Sequence, residues 1–224
     1  DQISIIICGF FVLARMYAAQ GNFSEALNTI DSLSSDVAEY NSPVLNSTVD
    51  LCAGYIAGIL NDYQNIPEWI KSGDMDQSQI LYQGMGFNYI VHAKSVLLEG
   101  SYIKLEVLCE EMLNVFSVYN NLFGQIHTYI LDAAAKYALY GTEEAKAALL
   151  YALDAGRPDD VALVFAEYGE YILDILKDLQ KDSPGDEYIN KILEKTEEFG
   201  DCLESIEERF SATMLTERQI EILK

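Results

Sequence analysis

Ala14-Arg15-Met16-Tyr17-Ala18-Ala19-Gln20-Gly21-Asn22-Phe23-Ser24-Glu25-Ala26-Leu27-Asn28-Thr29-Ile30 is a helix, a turn and the opening of a second helix. Ala14 and Ala26 are small residues where two helices would cross, and Tyr17, Phe23 and Ile30 are large ones that would fill the groove between them. Gly21 supplies the left-handed backbone that ends the first helix. The unit recurs. Gly54, Ala57, Asn61, Tyr63, Ile66 and Ile70 repeat it, and so do Ala93, Val96, Gly100, Tyr102, Leu105 and Cys109. The turns at Gly21, Asn61, Gly100 and Gly141 are separated by 40, 39 and 41 residues. A period of that size predicts stacked helix pairs, a right-handed solenoid.

Outward from that unit, the chain reads as helix throughout. Ile3 to Gln20 is apolar and helical, and Ser24 opens a helix with Ala26, Leu27, Ile30 and Leu33 at three- and four-residue spacing. Ser42-Pro43 starts a long helix to about Asn61, because proline is accepted in a first turn. A shorter helix carries Ile66, Trp69 and Ile70, and Ser72-Gly73-Asp74 breaks the chain. Further helices are expected over Asp76–Glu99, Ile103–Ser117, Asn120–Tyr140 and Glu143–Leu153. After the turn at Ser183-Pro184-Gly185, the expectation is helices over Glu187–Phe199 and Asp201–Phe210, with Ser211-Ala212-Thr213 as a linker. No stretch alternates with period two, and hairpin signals are absent, so the class is all-α.

Composition sets further bounds. The chain has 224 residues, half of them hydrophobic, enough to bury a sizeable core. Its net charge of −22 opposes nucleic acid, whose binding rests on Lys and Arg neutralising phosphates. The acid reads first as solubility. Cys8, Cys52, Cys109 and Cys202 are widely spaced and form no C-x-x-C pair, so they read as reduced, buried residues in a cytoplasmic protein. The apolar run from Ile3 to Ala14 is shorter than the roughly 20 residues of a membrane span, and it lacks the basic start of a signal peptide. No membrane association is expected. A chain that opens on Asp1 inside one helix and closes inside another reads as the middle piece of a longer protein.

Catalytic patterns are missing. There is no G-x-S-x-G, H-E-x-x-H or P-loop, and Gly84-x-Gly86 lacks a third glycine and a preceding strand. His92 and His127 read as packing or surface histidines. Acidic pairs such as Glu110-Glu111 are adjacent, and neighbours on a helix do not face each other. No catalytic or metal site is expected. The positive signal is aromatic: of 15 Tyr, 9 Phe and one Trp, most must be core, where ring burial dominates packing, and some could line a groove. In each unit the longer helix would face the concave side, and the position six residues before the turn is Arg15, Tyr55 and Lys94 in turn. Phe87 and Thr128 come from a second concave row. Two cations, a phenol and a phenyl ring suit a small polar ligand or an acidic peptide, held by stacking and charge-assisted hydrogen bonds. The plainer alternative is that Arg15 and Lys94 balance local acid.

The repeat resembles the tetratricopeptide repeat, matching well in the first unit and loosely in the others; its period exceeds that family's roughly 34 residues, and Glu143 stands where an aromatic belongs. A second resemblance lies between Glu143 and Leu179. Glu144-Ala145-x-x-Ala148-Leu149-x-x-Ala152-Leu153-x-Ala155 precedes Arg157-Pro158, and Phe165-x-x-x-Gly169 precedes Leu173 and Leu176. This is similar to the repeat domain of MalT-type transcription activators, although Asp159 and Val164 replace that family's small residue after Pro and its Arg before Phe. A third lies in Leu215-Thr216-Glu217-Arg218-Gln219-Ile220-Glu221-Ile222-Leu223, which resembles the opening of a LuxR-type helix-turn-helix with Gln219 in place of Glu. Thr216 with Gln219 forms a capping box, and Leu215 with Ile220 a hydrophobic staple.

These resemblances imply a tetratricopeptide-like repeat domain over residues 1–182, acidic terminal helices and a linker over 183–214, and the truncated start of a helix-turn-helix over 215–224. They imply an effector-sensing and oligomerisation segment of a LuxR/MalT-type regulator, non-catalytic in itself. Its effector would be a small molecule or a peptide, and activation would proceed through homo-oligomers. DNA would be met through a C-terminal domain beyond Lys224, and ATP would belong to an N-terminal domain before Asp1; no cofactor is expected in this segment. The alternative is a tetratricopeptide adaptor that takes a partner peptide in its groove.

Overall fold

The computed structural model describes residues 3–74, 79–80 and 84–222, with side chains as far as residue 205. Among the described residues there are eleven α-helices and no strand. In chain order they are α1 (Ile3–Ala19), α2 (Phe23–Ala38), α3 (Pro43–Ile59), α4 (Glu68–Ser72), α5 (Met85–Leu98), α6 (Tyr102–Val118), α7 (Leu122–Tyr140), α8 (Thr142–Gly156), α9 (Leu163–Ala166), α10 (Gly169–Asp182) and α11 (Glu187–Ile222). Short 3-10 turns at Tyr63–Asn65 and Arg157–Asp159 join α3 to α4 and α8 to α9. The protein is all-α. No helix among the described residues is long and apolar enough to cross a membrane.

The turns follow the expected chemistry. Gly21, Asn61, Gly100 and Gly141 all have positive φ, at 73°, 56°, 77° and 98°. At the first three the closure is the same. Asn22 N donates to Tyr17 O at 2.9 Å, Asp62 N to Ala57 O at 2.9 Å, and Ser101 N to Val96 O at 3.2 Å. Each bond runs back from the second residue after the cap to the third-last helical carbonyl, satisfying a group the helix end leaves open. Asn120 repeats the device at the end of α6, with φ 49° and Asn121 N donating to Phe116 O at 2.9 Å. Gly141 differs: its extended ψ lets it end α7 and start α8 without a spacer.

Helices α1, α3, α5 and α7 form an inner row, each packed on the next, while α2, α6 and α8 pack against their partners outside it. Small residues sit at the crossings. Ala14, Ala18 and Ala26 are fully buried between α1 and α2, and Ala133, Ala135, Ala145 and Ala152 between α7 and α8. In the second pair the outer helix is reduced to α4, whose Ile70 and the nearby Ile66 fill the same groove. After α8 the chain turns back. Helix α10 lies against α7 and α8, and α11 lies against α9 and α10. Farther along α11, Phe199 meets Phe23 edge-on at 6.1 Å, so the last helix reaches the first pair.

Some expectations need correction. Helix α5 begins at Met85 rather than Asp76; Gln79 and Ile80 are not helical, and residues 75–78 and 81–83 lie outside the described set. The expected break at Gly200 and linker at 211–213 are absent, because α11 is continuous from Glu187 to Ile222. A helical glycine costs about 1 kcal/mol, too little to stop a helix whose packing continues across it. That packing runs through Ile189, Ile192, Thr196 and Phe199, all buried, and reaches the half-buried Leu203. Helix backbone passes through Thr216, so no cap forms there. The thiols also divide: Cys52 and Cys109 are buried, Cys202 is half-buried, and Cys8 is exposed on α1; all four are unpaired.

Candidate functional site

Three of the inner helices, α1, α3 and α5, deliver Arg15, Tyr55 and Lys94 to one place, and a further element fills it. Glu167, at the junction of α9 and α10, carries a side chain that is 1% exposed. Arg15 Nε donates to Glu167 Oε1 at 2.6 Å, and Arg15 NH2 donates to Oε2 at 2.9 Å. The Tyr55 hydroxyl donates to Oε2 at 2.7 Å. Lys94 Nζ donates to the Glu167 main-chain carbonyl at 3.2 Å and lies over the rings of Tyr168 and Tyr171, 4.4 and 5.0 Å from their centroids. The fourth equivalent position, six residues before Gly141, is Ala135, so the row of long side chains ends at α7.

Aromatic rings wall the carboxylate. Arg15 sits over the rings of Tyr55 and Phe123, at 5.3 and 5.8 Å. Phe87 stacks on Tyr55 at 5.4 Å and meets Phe11 at 5.3 Å. His127 packs edge-on against Phe123 at 4.7 Å, and its Nδ1 is hydrogen-bonded to the Tyr168 hydroxyl at 2.9 Å. The other ring nitrogen of His127, Nε2, is buried and has no hydrogen-bond partner. Thr128 is fully buried and donates to Gly124 O on its own helix at 2.7 Å, so its hydroxyl is occupied within α7. Thus Arg15, Tyr55, Phe87 and Lys94 belong to one cluster, and Thr128 lies in the core behind it.

Burial governs the protonation states. It pushes the Tyr55 phenol well above its ordinary range, and the Glu167 charge adds to this. It pushes Tyr168 up in the same way. Burial also works against the charge on Arg15, but Glu167 more than offsets it and holds the guanidinium ionised. Lys94 is pushed down to about 7 by burial, against the pull of Glu167 and Glu170. His127 is held well below its usual range by burial and then by the charges of Arg15 and Lys94, so it is neutral. The cluster is therefore one carboxylate, one fixed cation, one lysine poised near neutrality, and neutral rings. Both oxygens of the carboxylate are taken, and the geometry is that of a bidentate anion clamp.

A cleft of about 490 Å³ opens beside this cluster between α10 and α11, lined by Lys94, Glu167, Tyr168, Tyr171 and Thr196 among others. Its rim carries Glu170, Glu197, Asp201 and Glu204. Among the described residues no group of three or more His, Cys, Asp or Glu side chains is placed to hold a metal ion.

Nothing in the local pattern singles out Glu167. It is one of 36 acids, flanked by Ala166 and Tyr168 in a segment that reads as helix punctuation. The available signal was indirect: Val164-Phe165-Ala166-Glu167-Tyr168 places one acid inside an apolar run, and a buried acid needs a cation. The chain matches no family model, no curated protein and no solved structure.

Proposed function

We propose that this chain is a non-catalytic ligand-sensing module of stacked helices, the effector-sensing and oligomerisation segment of a LuxR/MalT-type cytoplasmic transcription regulator. The observation that carries the sensing part is the meeting of Arg15, Tyr55 and Lys94, one from each of three successive helix pairs, on the single residue Glu167, the first two on its carboxylate and Lys94 on its main-chain carbonyl. A stack of pairs that places one polar side chain per pair into a common point is built to read a ligand against all pairs at once. Ligand binding there couples the pairs, and such a coupling shifts the population of any assembly that depends on their relative placement. The regulator part rests on the sequence resemblances at Glu143–Leu179 and Leu215–Leu223.

Peptide recognition by an adaptor is the second reading. What favours it is that the present occupant of the site is itself a peptide segment, with Glu167 between Phe165 and Tyr168, two aromatic residues that are also buried. The two readings separate on the coding sequence beyond Lys224. A second, DNA-reading helix there supports the regulator; its absence sinks that reading and leaves the adaptor. In either case the chain carrying Arg15→Ala should lose response to an added effector with its helical circular dichroism unchanged, and an unaltered response would remove this cluster from the sensing site.

A further inference from the structure

We propose that Glu167 is a tethered occupant of a carboxylate-binding site, and that the free ligand of the site is a small organic acid whose carboxylate takes the Glu167 position between Arg15 and Tyr55. This deepens, and rests on, the sensing reading above.

Four observations support it. First, the clamp is assembled for an anion by groups remote from one another: Arg15 and Tyr55 lie 152 and 112 residues from Glu167 in sequence. Second, stability alone is a poor reason for such a cluster. Burying two charges costs about as much as their attraction returns, and an apolar replacement of similar volume is often as stable. Third, the box is polar beyond the needs of Glu167. His127 is fully buried beside it and keeps Nε2 without a partner. A leftover polar atom in a buried box is costly unless something else uses it. A ligand larger than a glutamate side chain, with a hydroxyl or amide near its carboxylate, would supply that partner. Fourth, the clamp meets solvent at its cation: the Arg15 side chain is 20% exposed, while that of Glu167 is 1% exposed.

The ligand is placed as an acid rather than a sugar or a base by the clamp itself. A guanidinium in fork geometry with a phenol donating beside it matches a carboxylate, and the fixed positive charge of the guanidinium repels a cation.

Chemical rescue tests the proposal on the full chain. Glu167→Ala removes the tethered carboxylate and leaves Arg15, Tyr55 and Lys94 in place. Propionate is the probe, with chloride at matched ionic strength and propionamide as the neutral analogue. The expected result is a melting temperature below wild type that rises by about 3 °C at a propionate concentration roughly ten times its Kd. Chloride and propionamide should not reproduce the rise, and neither wild type nor the doubly substituted Glu167→Ala/Arg15→Met chain should show it. If Glu167→Ala is unfolded in chloride, the same titration is read as recovery of helical circular dichroism, and no recovery overturns the proposal. Equal effects of propionate and chloride also overturn it. Such a failure removes the carboxylate site but leaves the sensing reading standing, because that reading falls on the Arg15→Ala response and on the coding sequence beyond Lys224.

Discussion

Arg15 on α1 and Glu167 after α9 are joined by two hydrogen bonds, of 2.6 and 2.9 Å, across 152 residues of sequence. The pair ties the first helix of the inner row to the segment that returns across it. Its two ends are unequally wet: the Arg15 side chain is 20% exposed and that of Glu167 is 1% exposed. Removing either partner leaves the other charge without its counterpart, and a buried orphan charge costs about 3–5 kcal/mol. Arg15→Met strands the buried carboxylate, whereas Glu167→Gln strands a guanidinium that water can partly reach. The expected order of destabilisation in urea is therefore Arg15→Met above Glu167→Gln, with the double variant milder than the sum of the two. Additive losses would show that the pair is not energetically coupled.

Gly100 and Gly124 should both resist substitution by alanine, for different reasons. At Gly100 φ is 77° and an added Cβ would meet nothing within 4 Å, so the cost is purely conformational, about 1–2 kcal/mol. At Gly124 the backbone is helical, but the Cβ would lie 2.6 Å from the Phe116 ring. Overpacking of that kind costs about 1–3 kcal/mol and works against any gain in helix propensity. The distinguishing test is the companion change Phe116→Leu. It should relieve part of the Gly124→Ala loss in a double-mutant cycle and leave the Gly100→Ala loss unchanged, both measured as ΔG of unfolding.

Tyr168 holds the one partnered nitrogen of His127, through a 2.9 Å hydrogen bond in a fully buried setting. Tyr168→Phe leaves the imidazole with both nitrogens unsatisfied, a loss of about 1–3 kcal/mol. His127→Phe strands only the Tyr168 hydroxyl. Replacing both by Phe removes all the stranded polar atoms. The double variant should therefore unfold at a higher urea concentration than Tyr168→Phe alone, and the reverse order would show that the imidazole is satisfied in solution by bound water.

How much of this was legible beforehand depends on the range of the interaction. The turns at Gly21, Asn61 and Gly100 were readable because a left-handed cap is a local demand, met by glycine or asparagine at one position. The convergence of Arg15, Tyr55 and Lys94 followed from their common distance to those turns, because equal spacing on equivalent helices puts side chains in register. Glu167 was not readable, because its partners lie 152, 112 and 73 residues away, with no repeat relation to it. The missing break at Gly200 has the same origin. Its helical state is fixed by packing of Phe199 and its neighbours on distant elements, which outweighs a local propensity of about 1 kcal/mol.

Stability should rise with pH up to about 8.5, driven by groups of this one cluster, and fall at higher pH, where the buried Cys52 and Cys109 thiols, pushed up by burial, ionise only in the unfolded chain and oppose the rise. Lys94, pushed down to about 7 by burial, binds its proton less tightly folded than unfolded, where lysine titrates near 10.4. Between those values the unfolded chain carries the extra proton, so raising the pH favours the folded state, at a limiting slope of about 1.4 kcal/mol per pH unit for one group. His127 acts in the same sense at lower pH: held neutral by burial, it loses stability as the pH drops below about 6.5 and the unfolded imidazole charges. Tyr55, Tyr168 and Tyr171 act oppositely. Burial pushes their phenols up, so above about pH 10 the unfolded tyrosines ionise while the folded ones stay neutral, and stability falls. Lys94→Met removes the first of these titrations. Its melting temperature should exceed that of wild type at pH 7 and change less from pH 7 to about 8.5, while the decline at higher pH remains. A Lys94→Met profile that climbs as steeply as wild type would assign the rise to groups outside the cluster.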